Sequence, residues 1–204
     1  MLAIVFRFPG LASEASVIAY WTMHEKTTQT VIALVALGYP GLVLFLVGLP
    51  YAWSMTSSAW ARAATAMGCM FITSLVVALG LASAAGQLIQ ASDSNAHLGY
   101  GLHVAAFVLA APAAGLGTGF FLAVIVSTFS VAPRWLRVPA GIGALCNAGA
   151  LGGHFDLAGP LNSGNGLLGG IALPLASLMV YVACVCVERL VGHGRPRPTA
   201  ADST

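Results

Sequence analysis

Tyr100 and His103 stand three residues apart in the stretch SDSNAHLGYGLH, with Asp93 and His97 just ahead of them. On a helix that spacing puts the phenol and the inner imidazole on one face. Further along, Asn147 precedes His154 by seven residues and so nearly eclipses it on a helix, and Asp156 follows. Near the start of the chain His24 and Glu25 are adjacent. A carboxyl group at the polar end of an apolar cavity can act as a proton donor, so Asp93, His103 and Asp156 form the candidate catalytic set. Glu25, His97, Tyr100, Asn147 and His154 are the candidate lining of a ligand pocket around it. Counted from the polar ends of their segments, His103 and Asn147 should each lie roughly 10 Å inside and could share that pocket. The competing reading is that these groups serve as hydrogen-bonding glue between helices.

Sharper chemistries are poorly served. Two haem ligands should face each other at similar depth, whereas His103 is deep and His97 and His154 are near the surface. Asp93, His97, His154 and Asp156 could be imagined around zinc, but no HExxH or paired i,i+4 histidines occur. A phosphate-cradling GxxxxGK[ST] and a nucleophile elbow GxSxG are also missing. Cys69, Cys146, Cys184 and Cys186 lie inside apolar runs and read as small hydrophobes rather than a disulfide framework. No metal or other cofactor is expected.

The elements that must position these residues are apolar. Of 204 residues, 58% are hydrophobic and 7% charged, where a soluble domain carries about 25% charged residues. Mean hydropathy is +0.89. A soluble globule is therefore excluded, and a polytopic bundle of transmembrane helices is the all-α class expected, with the lipid bilayer as its partner. Twenty-four glycines suit helices that approach closely in lipid, within one chain or between copies. A net charge of +2 leaves no basic face for nucleic acid.

In chain order, MLAIVFRFPG is too short to span and reads as half a helix or an interfacial segment. Leu11 to Lys26 reads as a short interfacial helix, with Tyr20 and Trp21 at headgroup level. Five full spans follow, over about 27–55, 61–90, 96–131, 138–155 and 167–187, within a single domain ending near 190. Pro40 predicts a kink near Tyr39 unless neighbours satisfy the freed carbonyls. Gly115 with Gly119, and Gly149 with Gly153, have the GxxxG spacing of helix contacts. The tail 191–204 reads as disordered. Alternating spans bring Arg62, Arg134, Arg137, Arg189, Arg195 and Arg197 to one side, which predicts that side and the C-terminus to be cytoplasmic. Glu25, Asp93, His97, His154 and Asp156 fall on the other.

Two segments, ASEASVIAYWTMHEK and APRWLRVPAGIG, resemble the pre-helix segment and PRWL turn of a group of small, uncharacterised bacterial multi-pass membrane proteins. The resemblance covers most of residues 11 to 190. It implies a bacterial cell-membrane protein with a six-span ancestor and supplies no activity. Members usually carry a complete helix ahead of the part matching Ala12 to Lys26, which implies that the native start of this chain lies upstream of Met1.

Two functions follow. The leading one is a non-enzymatic membrane protein, either a structural or accessory bundle or a handler of small apolar compounds. The alternative is an intramembrane enzyme acting on a lipid or isoprenoid, with membrane-bound terpene cyclases as a fold-level analogy. The sequence leaves both open.

Overall fold

The computed structural model describes residues 13–152 and 172–192, and the side chain of Asp93 lies outside that description. Five α-helices form the described chain: α1 (Glu14–Ala52), α2 (Ala59–Ala91), α3 (Ala96–Thr128), α4 (Arg137–Leu151) and α5 (Ala172–Gly192). Short 3-10 turns, Asp93–Asn95 and Arg134–Leu136, lead into α3 and α4. Four helices are long and apolar enough to cross a membrane: α1, α2, α3 and the Leu173–Val191 part of α5. The described part of α4 has 15 residues, about 22 Å at 1.5 Å per residue, short of the ~20 residues a bilayer core requires.

The first difference from expectation lies at the start. Among the described residues, the later part of the expected interfacial helix and most of the span expected over 27–55 are one helix, α1 (Glu14–Ala52), of 39 residues. Ser13 caps it by accepting from the Ser16 amide at 3.4 Å, and Glu14 sits in its first turn, the favourable end for a negative charge. The polar run HEKTTQ holds no helix breaker. His24 Nδ1 pairs with the Tyr20 carbonyl at 3.2 Å and Thr30 donates to that of Lys26 at 2.7 Å, so the helix itself accommodates its polar groups.

Prolines do not interrupt α1, which is continuous through Pro40 and Pro50. Pro50 has no amide to give Leu46. The freed Leu46 carbonyl accepts instead from Thr65 Oγ1 of α2 at 3.3 Å, the kind of substitution that lets proline persist in packed membrane helices. After Ala52 the chain turns at Ser54, whose φ of 57° is left-handed, and Ser58 caps α2 through the Ala61 amide at 3.3 Å. At the far end α5 continues to Gly192, past the expected close of the span at Val187. Residues 193–204 lie outside the description.

The helices run up and down, each against its sequence neighbours, with α3 between α2 and α4. The larger core joins Leu46 of α1, Phe71 and Leu75 of α2, Phe120 and Phe121 of α3, Ala140 of α4 and Tyr181 of α5. Its aromatic centre is a set of edge-on rings, with Phe121 5.0 Å from Phe120 and 5.7 Å from Tyr181. A second core, Val17, Tyr20, Trp21, Ala82, Ile89 and Ala106, lies where α1, α2 and α3 meet near the Glu14 end.

The outward surface is apolar: on α1, Leu37 is 77% and Leu44 72% exposed, and every other helix shows large exposed hydrophobics. Continuous apolar exposure of this kind fits a lipid surround and not water.

Candidate functional site

At the Glu14 end the polar side chains gather around Trp21. On α1, Val17 and Trp21 face inward one turn apart, and the indole packs against Gly86 of α2, where a β-carbon would stand 2.5 Å from ring carbons. Only glycine admits that approach. Trp21 and His103 are both 0% exposed. Trp21 Nε1 donates to His103 Nδ1 at 3.3 Å, with the rings edge-on at 6.4 Å, and Phe107 covers the imidazole at 4.9 Å. An Nδ1 that accepts puts the proton of the neutral ring on Nε2. Gln90 of α2 closes the third side by donating to the Trp21 carbonyl at 3.0 Å.

Two more links tie α1 to its neighbours. Two turns beyond Trp21, Gln29 Nε2 donates to the Ser83 carbonyl at 3.0 Å and Ser83 Oγ donates back to Gln29 Oε1 at 2.7 Å. At the rim, the Glu14 carboxylate meets His97 Nδ1 of α3 at 3.1 Å, with the His97 side chain 87% exposed. An exposed pair of this kind contributes at most about 1 kcal/mol.

Other expected site residues divide. Tyr100 is half-buried against the second core between His97 and His103. Glu25 lies within α1, one turn beyond Trp21, and no bond joins it to the cluster. Asp93 opens the 3-10 turn before α3. His154 and Asp156 lie outside the described residues, so the catalytic set retains only His103 among described side chains.

Asn147 is 0% exposed but does not share a pocket with His103. Its Nδ2 donates to the Gly143 carbonyl at 2.9 Å and to Ser177 Oγ of α5 at 3.4 Å, and its Oδ1 presses on Gly117 of α3. Gly117 is fourteen residues beyond His103 on the same helix, about 21 Å along its axis. Depth counted back from His154 misleads here, because Asn147 is ten residues into α4 from the opposite end, at Arg137.

Sequence reasoning also missed Trp21, read as a headgroup-level aromatic, and Gln29, Ser83 and Gln90. The signal for Trp21 was its register with Val17 on a helix longer than the apolar run. The GxxxG reading of Gly115 and Gly119 splits between neighbours, Gly115 meeting Leu151 of α4 and Gly119 meeting Met67 of α2. Gly117, between them, meets Asn147 of α4 more closely still.

Chemically the cluster is a hydrogen-bonded seam. The Nδ1 lone pair of His103 is engaged by Trp21, and among the described residues no three His, Cys, Asp or Glu side chains come together as a metal site. Comparison of the chain with family models, curated proteins and solved structures finds no match.

Proposed function

We propose that this protein is a non-enzymatic multi-pass integral membrane protein, a structural or accessory bundle whose buried polar groups join its helices. The observation that carries this reading is the use made of the polar side chains at the helix contacts. His103 bonds to Trp21, Gln29 to Ser83, Gln90 to the Trp21 backbone, and Asn147 to Ser177, each across a helix–helix boundary. Such bonds in membranes contribute about 0.6 kcal/mol on average and up to about 1.7.

The test is His103→Phe, which keeps a ring and removes the acceptor. Bundle stability, followed by helicity during titration with sodium dodecyl sulfate, should fall by about 0.6 to 2 kcal/mol. In a deletion strain the variant should complement any change in lipid or metabolite profile as well as the parent does. A folded, inserted His103→Phe protein that fails to complement would overturn the structural reading and favour an intramembrane enzyme.

The orientation proposed is plasma-membrane insertion with the arginine-bearing end cytoplasmic, supported by Arg62, Arg134, Arg137 and Arg189 lying at one end of the bundle and Glu14, Glu25 and His97 at the other. On a cysteine-free background, a cysteine replacing Ser94 should react with an impermeant maleimide in intact cells. One replacing Ser57 should react only after lysis, and the reverse pattern would invert the topology.

A further inference from the structure

The arginine end carries more than an orientation signal. Its groups form a connected rim: Arg189 of α5 lies over the Trp53 ring at 4.6 Å, and Trp135 Nε1 donates to Glu188 of α5 at 3.0 Å. Arg137 lies over Phe129 at 4.1 Å and donates through Nη2 to the Phe129 carbonyl. Four arginines of the described chain, Arg62 among them, stand at this end with one carboxylate, Glu188, whose Oε2 accepts from Trp135. Neither Arg134 nor Arg137 has a carboxylate partner among the described residues. The Arg134 side chain is exposed and makes no hydrogen bond among the described residues, and Arg137 Nε is buried without a partner there.

Beside these cations the surface is apolar, with Phe129, Val131 and Val138 exposed. A positive rim bordering an apolar wall is complementary to an amphiphile with an anionic head. The charge is planar guanidinium, which pairs with phosphate oxygens through two parallel hydrogen bonds.

We propose that this rim docks the phosphates of anionic phospholipid headgroups, with Arg134 and Arg137 as the principal cations and Phe129 and Val138 against the acyl chains. The inference rests on membrane embedding and adds a lipid preference to it. Basic residues near a membrane surface attract anionic lipid by an amount equal to about fivefold in affinity each, an effect that salt screens.

The full chain should be reconstituted into vesicles of equimolar phosphatidylcholine and phosphatidylglycerol, floated on a density gradient, and extracted in mild detergent to measure the phospholipid retained per protein. Retained lipid should be enriched in phosphatidylglycerol several-fold over the vesicle ratio, and Arg134→Gln should lower that enrichment by up to about fivefold. Arg134→Gln combined with Arg137→Gln should bring the ratio close to that of the vesicle. Because Arg137 also holds Phe129, the single Arg134 variant, which loses no bond within the protein, carries the decision if the double variant misfolds. A floated parent with no enrichment, or an Arg134→Gln protein with enrichment unchanged, overturns the proposal. A chain that does not float refutes the membrane embedding beneath it.

Discussion

Trp21→Ala should be the most damaging single substitution at the Glu14 end, lowering bundle stability by about 3 kcal/mol. Trp→Ala in soluble cores costs about 3 to 5 kcal/mol through lost transfer energy and a residual cavity. In a bilayer the transfer part shrinks, because lipid tails are as apolar as the core, while the lost packing remains. Here the indole fills the space above Gly86, and its removal leaves His103 Nδ1 buried without its donor, a penalty of about 1 kcal/mol or more. Trp21→Phe keeps most of the packing and should cost only about 1 kcal/mol. Gly86→Ala attacks the same contact from α2 and should fall between them, since overpacking costs about 1 to 3 kcal/mol. Helicity in a dodecyl sulfate titration reads all three without relying on tryptophan fluorescence. A Trp21→Ala protein within about 0.5 kcal/mol of the parent, the range of ordinary surface changes, would show that this seam does not hold α1 in place.

Much of the architecture is legible in the residues because hydrophobic length is a local property. The all-α class, the long apolar helices and the turn near Ser58 follow from composition and breakers, and the grouping of arginines at one end follows from alternation alone. The first helix shows the limit of that method. A run such as HEKTTQ is polar, but polarity ends a membrane span without ending a helix, and the i−4 carbonyls absorb the Thr30 and His24 side chains. Boundaries drawn from hydropathy therefore split α1.

The site was less legible because depth depends on which helices are neighbours and how long each is. His103 follows the polar entry of its own helix by about two turns and is fully buried among the helices. Its partner could not be read locally: Trp21 is eighty-two residues away, and the contact depends on Gly86 of a third helix. Asn147 was misjudged for the converse reason. The span expected over 138–155 is half as long as that over 96–131, so a depth counted from its far end is not a depth from the mouth of α3: Asn147 meets Gly117, twenty-one residues into α3.

Gly117→Ala should cost about 2 to 4 kcal/mol, a large effect for one added methyl group. The amide of Asn147 is held at its Nδ2 end by Gly143 and Ser177, and its Oδ1, with no conventional donor, rests on the face of Gly117 where a β-carbon would stand. In the native protein that face presents a Cα hydrogen, and a Cα–H···O contact is worth about 0.5 to 1 kcal/mol. A methyl group there collides with the oxygen, so either the amide rotates and gives up its bonds or α3 and α4 separate. Overpacking of about 1 to 3 kcal/mol then adds to the lost interhelix bonding. If the collision is the cause, Asn147→Ala should cost about 1 to 2 kcal/mol alone and relieve most of the penalty when combined with Gly117→Ala. The double-mutant cycle should therefore show a coupling above about 1 kcal/mol, where distant independent sites add within about 0.5. Simple additivity of the two substitutions would mean that Gly117 is required for some reason other than the close approach of Asn147.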